Sequence, residues 1–216
     1  MESDGNSRKK VGTDKTWLLV SGKRIGVAIG LIFLFLLAAK AQKEEEIQKE
    51  IASSVVRFHV KANSNRKEDQ RQKMELKEEL LPSIREMLSH AESSGETRRI
   101  LKEHLPELQA KASEALLARG SKQKVEVTLG ESYFPEKTYG DITLPAGSYE
   151  ALEVKIGKAK GENWWCMLYP SLCFADALHP EIEQEEKEEL KTTLSDEAYR
   201  TILKKGSFTT GFYWLF

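Results

Sequence analysis

The stretch VVRFHVKANSN, Val55 to Asn65, sets the reading of the fold. Val56, Phe58 and Val60 alternate with Arg57, His59 and Lys61, the period of a half-buried strand. The strand stops at Asn63-Ser64-Asn65, residues that supply turn and cap hydrogen bonds. Asn65 followed by Glu68 has the spacing of a capping box, which predicts a helix immediately after the strand. On that strand His59 either faces solvent or satisfies a neighbour.

Downstream, Leu76, Leu80, Ile84, Met87 and Leu88 form one face of a helix reaching about His90, which Pro82 kinks or splits. A second helix carries Ile100, Leu101, Leu105, Leu108, Ala112, Ala115 and Leu116, is interrupted by Pro106, and closes at Gly120. These leucine stripes read as core faces. The period then returns to two: Val125, Val127 and Leu129 mark one strand, and Tyr149, Leu152, Val154 and Ile156 another. Between them ESYFPEKTYGDI reads as a strand or ordered loop. Residues 180–205 return to helix, and Phe208, Phe212, Trp214 and Phe216 alternate like a last strand.

The stretch NWWCMLYPSLCF, Asn163 to Phe174, gathers two of four tryptophans and both cysteines. Trp164 to Tyr169 is β-like, so Trp164 and Trp165 point to opposite faces; one is expected in the core and the other on a partner-facing patch. Pro170-Ser171 is a turn signal that lets the chain fold back and bring Cys166 towards Cys173. Either a disulfide or two buried thiols satisfies that pattern, and the compartment decides.

The compartment is read at the other end of the chain. Ile25 to Ala39 is uncharged and follows Lys23-Arg24, which together make the basic and apolar regions of a secretory signal. Ala39-Lys40-Ala41 is a small-residue site, so a signal peptidase would cut between Ala41 and Gln42; the alternative is an uncleaved membrane anchor. Residues 1–41 carry seven basic against three acidic residues and the remainder 26 against 31. The positive-inside rule therefore leaves the N-terminus in the cytoplasm and the folded part outside. An exported domain can keep a disulfide. The expected organisation is a leader with signal or anchor over 1–41, a helical lead or solvated linker over 42–53, and an exported domain over 54–216. Its class is α+β: one compact domain with a mostly antiparallel sheet packed on two or three helices.

A formal net charge of −1 argues against nucleic acid as a partner. The four histidines, His59, His90, His104 and His179, have no metal-binding spacing, and phosphate-loop, dinucleotide and serine-hydrolase signatures are missing. No metal and no cofactor are expected. The one polar cluster that could imitate a catalytic site is His59, Asn63 and Ser64 with Asp69 or Asp176 as orienting acid. It supports, as the alternative, an exported hydrolase of cell-wall or peptide bonds.

Three stretches resemble the stage II sporulation protein R family of endospore-forming bacteria: the signal-like segment, RFHVKANSNRKEDQ (Arg57 to Gln70) and LPAGSYEALEVKIGKAKGENWWCMLYPSLCF (Leu144 to Phe174). The resemblance implies a non-catalytic signalling protein, exported across the forespore membrane into the intermembrane space. Its implied partner is a membrane-embedded aspartic protease of the mother cell that cleaves pro-sigma-E. The residues expected to touch that partner are Asn63, Ser64, Asn65, Trp164, Trp165, Tyr169 and Phe174.

Overall fold

The computed structural model describes residues 15–170 and 184–203. The chain divides into two units, Met1–Glu44 and Glu45–Phe216, and the helix α1, Lys15–Ser54, contributes to both. In the first unit α1 presents Ile25 to Leu37 with exposures of 49 to 70%. Among the described residues it is the one helix long and apolar enough to cross a membrane.

The second unit is an α+β domain. After the last turns of α1 come β1 (Val56–Lys61), α2 (Lys67–Leu88), α3 (Ser94–Ala118), β2 (Val125–Phe134), β3 (Lys137–Tyr139), β4 (Ile142–Leu144), β5 (Gly147–Ile156) and β6 (Asn163–Tyr169). Two short helices follow, α4 (Gln184–Thr193) and α5 (Asp196–Ile202). The main sheet has the order β2-β5-β1-β6, and β3 pairs with β4 as a separate hairpin. The β2–β5, β1–β6 and β3–β4 ladders are antiparallel. The β1–β5 ladder is parallel, running from Arg57 against Ala151 to Lys61 against Lys155. A parallel neighbour requires a long crossover, and α2, α3 and β2 lie between the two strands.

The sheet is covered on both faces. Val56, Phe58 and Val60 join Leu152, Val154, Ile156 and Val127 on one face, closed by Leu76, Leu80 and Ile84 of α2 and Leu101, Leu108 and Leu116 of α3. On the other face Phe134, Tyr149, Ala151 and Met167 meet Ile51 and Val55, the β3–β4 hairpin through Ile142 and Leu144, and Leu190, Leu194, Ala198 and Ile202. The alternation in β1 therefore does not mark a half-buried strand. Arg57 and His59 are as buried as the valines, because a second layer packs where solvent was expected.

Other local expectations change for similarly physical reasons. Helix α2 begins at Lys67 with Arg66 in the cap position and no side-chain cap bond, so the Asn65–Glu68 capping box does not form. Pro82 and Pro106 lie inside α2 and α3 without dividing them. The end of α3 fits its reading: Gly120 takes φ 71, which glycine adopts without penalty, and Ser121 N–H closes on Leu116 O at 3.0 Å. The stretch ESYFPEKTYGDI splits between the end of β2 and the β3–β4 hairpin. Of the helix expected over 180–205, the described residues 184–203 form two helices, broken where Ser195 caps α5 by accepting from Ala198 N–H at 3.2 Å. The strand expected at Phe208 to Phe216 lies outside the described residues.

Candidate functional site

The Asn63–Asn65 turn is a knot between the start of α2 and the β5–β6 loop. Asn63 Oδ1 accepts Lys158 N–H at 2.9 Å, and Asn65 Oδ1 accepts Glu162 N–H at 2.7 Å. Backbone carbonyls of Asn63 and Ala62 take Lys160 N–H and Gly161 N–H. Under the turn sits Asp69, 1% exposed. Its Oδ2 accepts from Asn63 Nδ2 at 3.0 Å, from Ser64 Oγ and from Arg66 Nε, and its Oδ1 accepts from Gln123 Nε2 at 2.8 Å. The Ser64, Gln123 and Asn63 bonds hold its carboxyl far below the usual carboxylate range, against the opposing effect of burial.

His59 belongs to a different cluster. Its ring stacks on Trp165 with centroids 5.0 Å apart and lies 5.0 Å from Phe134. Nε2 approaches Glu153 Oε1 at 3.1 Å, without the alignment of a hydrogen bond. Burial, reinforced by Lys61, Lys155 and Arg57, lowers the imidazole to about 4 although Glu153 opposes this. Glu153 is itself held below its ordinary value: burial works against its charge, and the hydrogen bonds from Lys155 and Lys61 prevail.

His59 and Ser64 therefore engage separate carboxylates, Glu153 and Asp69, and the described residues assemble no nucleophile–base pair from them. Asp176 lies outside the described residues. No group of three or more potential metal ligands occurs among the described residues.

Trp164 and Trp165 do point to opposite faces. Trp164 meets Phe58 edge-on at 5.6 Å, with Lys77 Nζ 5.1 Å from its ring. Trp165 meets Phe134 at 4.7 Å, with Lys137 Nζ 5.9 Å away. Both are partly buried. Tyr169 is 6% exposed and donates to Glu92 O at 3.0 Å. Cys166 is buried on β6; Cys173 and Phe174 lie outside the described residues. Ala41 and Gln42 lie within α1.

Sequence reasoning missed Arg57, which is fully buried. Its guanidinium lies 4.3 Å from the Phe134 centroid and 4.9 Å from that of Tyr149, and it donates to Tyr139 Oη at 2.9 Å and to Cys166 O at 3.3 Å. Its aromatic partners are scattered over β2, β3 and β5, and no local spacing announces them.

An apolar leading helix and an α+β domain, with polar clusters spent on fastening loops and strands, define the class at the level of architecture. The comparisons give the family. The model for stage II sporulation protein R matches residues 52–179. Stage II sporulation protein R of Bacillus subtilis (strain 168) is 35% identical over 177 residues, covering 81% of this chain and 75% of that protein. The chain belongs to the stage II sporulation protein R family. No solved structure matches it.

Proposed function

We propose that this protein is an exported intercellular signal of endospore formation, which activates the membrane-embedded aspartic protease that processes pro-sigma-E in the mother cell. The observation that carries the reading is family membership over most of the chain, joined to an exposed apolar N-terminal helix suited to export. In support, Asn63, Ser64 and His59, the groups a hydrolase would have needed, are engaged within the domain.

The activating step is binding. A ligand shifts a protease between inactive and active arrangements only by its differential affinity for the two, so the exported domain needs a defined contact surface. In this reading that surface is the β6 edge of the sheet, flanked by Trp164 on one face and Trp165 on the other, together with the adjacent Asn63–Asn65 turn. Cys166 and Cys173 form a disulfide that fixes the strand's end, as the oxidising side of a membrane permits. A signal-peptidase cut between Ala41 and Gln42 releases the domain.

The test is co-expression of the full chain with the protease and its precursor substrate in a heterologous host. Processing that depends on this chain supports the reading. Processing that proceeds equally without it, or not at all with it, ends the reading.

A further inference from the structure

The outer edge of β2 is capped near its start and open further on. β2 ends the order of the main sheet, with β5 on its inner side. Gln109 of α3 donates from Nε2 to Val125 O at 3.0 Å and accepts Val127 N–H on Oε1 at 2.8 Å. The carbonyl of one residue and the N–H two further on are the pair that a neighbouring strand takes, so this amide stands in for a strand. It also fixes the direction of the backbone: odd-numbered residues of β2 turn their N–H and C=O outward, and even-numbered ones bond to β5. Leu129, Glu131 and Tyr133 continue the outward series, and their N–H and C=O groups have no partner among the described residues.

The unpaired stretch is also accessible. Gly130 and Glu131 are exposed, and Tyr133 is 59% exposed. A Cβ added to Gly130 would meet no atom within 4 Å. Nor does β2 carry the usual guards of an exposed edge: it has no proline and no lysine, and its register with β5 runs unbroken from Val125 to Phe134. The one charge on the open stretch, Glu131, lies directly opposite Glu150 of β5, a placement in which like charges repel. Arg98 pairs with Glu150 at 2.6 Å and is otherwise spent on Ser53 O and Ser94 Oγ. Glu131 has no ion pair among the described residues.

We propose that the β2 edge from Leu129 to Tyr133 receives an extended segment of the protease as an added strand, with a lysine or arginine of that segment facing Glu131. A row of outward N–H and C=O groups is satisfied by an extended chain, which selects the conformation of the occupant. The uncompensated charge of Glu131 sets its register. Tyr133 gives it an exposed aromatic to cover. A second copy of this chain is the poorer occupant, because antiparallel pairing of two β2 edges over all three open residues sets Glu131 against Glu131, with Glu150 beside each. The inference rests on the signalling reading above and adds, at the edge opposite β6, a second contact with the same partner.

The experiment uses the same co-expression, with processing yield, melting temperature and oligomeric state measured for each variant of the full chain. Glu131→Pro removes an outward N–H and leaves the ladder to β5 intact, since proline is tolerated where a strand's N–H faces out. Glu131→Lys meets the incoming cation with a cation and, facing Glu150, is expected to fold at least as stably as the wild type. Each is expected to lower processing about tenfold, as loss of one well-placed contact does. Glu114→Lys, the same reversal at an exposed position of α3, is expected to process as the wild type does. If Glu131→Pro fails to fold, Glu131→Lys decides alone. Wild-type processing by every folded Glu131 variant overturns the β2 contact and leaves the signalling reading intact. Loss in a folded Glu131→Pro alone keeps the added strand and strikes the facing cation, whereas loss in Glu131→Lys with a folded, fully active Glu131→Pro overturns the added strand. Absence of processing with the wild-type chain overturns both readings. A wild-type chain that associates with itself through this edge, and in Glu131→Pro loses that association but no activity, makes the edge an interface between copies and overturns the proposal.

Discussion

Asn63 occupies the space that a side chain on Gly157 would need. A Cβ added to Gly157 runs into Asn63 Oδ1, the oxygen that accepts Lys158 N–H, and Gly157 itself sits at φ 58, where L side chains are strained. Gly157→Ala is therefore expected to lower stability by more than the ~1 kcal/mol of the backbone conformation alone. Asn63→Ala, which strands Lys158 N–H and removes one donor from Asp69, is expected to cost about 1–3 kcal/mol. Denaturant unfolding of both variants is the measurement.

Asp69 makes the same knot sensitive to acid. Its folded pKa is depressed, so its contribution is complete above the ordinary carboxylate value and is lost as pH falls below it. Asp69→Asn sets an amide N–H2 against donors and is expected to cost about 1–3 kcal/mol at neutral pH. The stability of the variant should also lose part of the acid-side slope below about pH 4.

His59 contributes a slope at higher pH. With a folded value of about 4 against 6.5, the unfolded chain takes up the proton first. Stability is thus full above 6.5 and declines as pH falls from 6.5 to about 4, by on the order of 3 kcal/mol. In His59→Phe, packed between Trp165 and Phe134, urea midpoints measured over that range are expected to flatten. An unchanged slope would refute the assignment.

Arg57 predicts an order of substitutions. Its flat guanidinium fits among Phe134, Tyr149 and Tyr139 with no carboxylate among the contacts described above, a setting unsuited to a strongly hydrated ammonium. Arg57→Lys is expected to be less stable than Arg57→Met by about 2 kcal/mol, although it keeps the charge. Thermal unfolding of the pair checks this.

The proposed Cys166–Cys173 bridge closes a short loop, for which the chain-entropy estimate is about 2–3 kcal/mol. Without reductant, thiol reagents are expected to leave both cysteines of the exported native protein unlabelled. Labelling of both excludes the bridge.

Much of the domain was legible because it rests on local periodicity. The helical stripes of Leu76 to Leu88 and Leu101 to Leu116, the strand at Val55 to Lys61 and the opposite facing of Trp164 and Trp165 are properties of 3.6- and two-residue repeats. Burial of Arg57 and His59 was not legible, since it depends on a second layer in which the end of α1, next to β1 in sequence, is joined by the β3–β4 hairpin, α4 and α5, which are distant from it. Likewise Asn65 looks like a helix cap, and only the return of Glu162 to its side makes it a loop fastener.

The last turns of α1 give the tether a sharp structural limit. Ile51 and Val55 are core residues, Ile47 packs against them, and Glu50 accepts both Ser195 N–H and Ser195 Oγ–H. A chain severed at Ala41 would take all of these with it and diffuse away as a finished domain, searching three dimensions at falling concentration. An unsevered chain would carry the identical domain but stay confined to a two-dimensional sheet of membrane. The cut site thus sets the range and lifetime of the molecule's reach and leaves its binding surface unaltered.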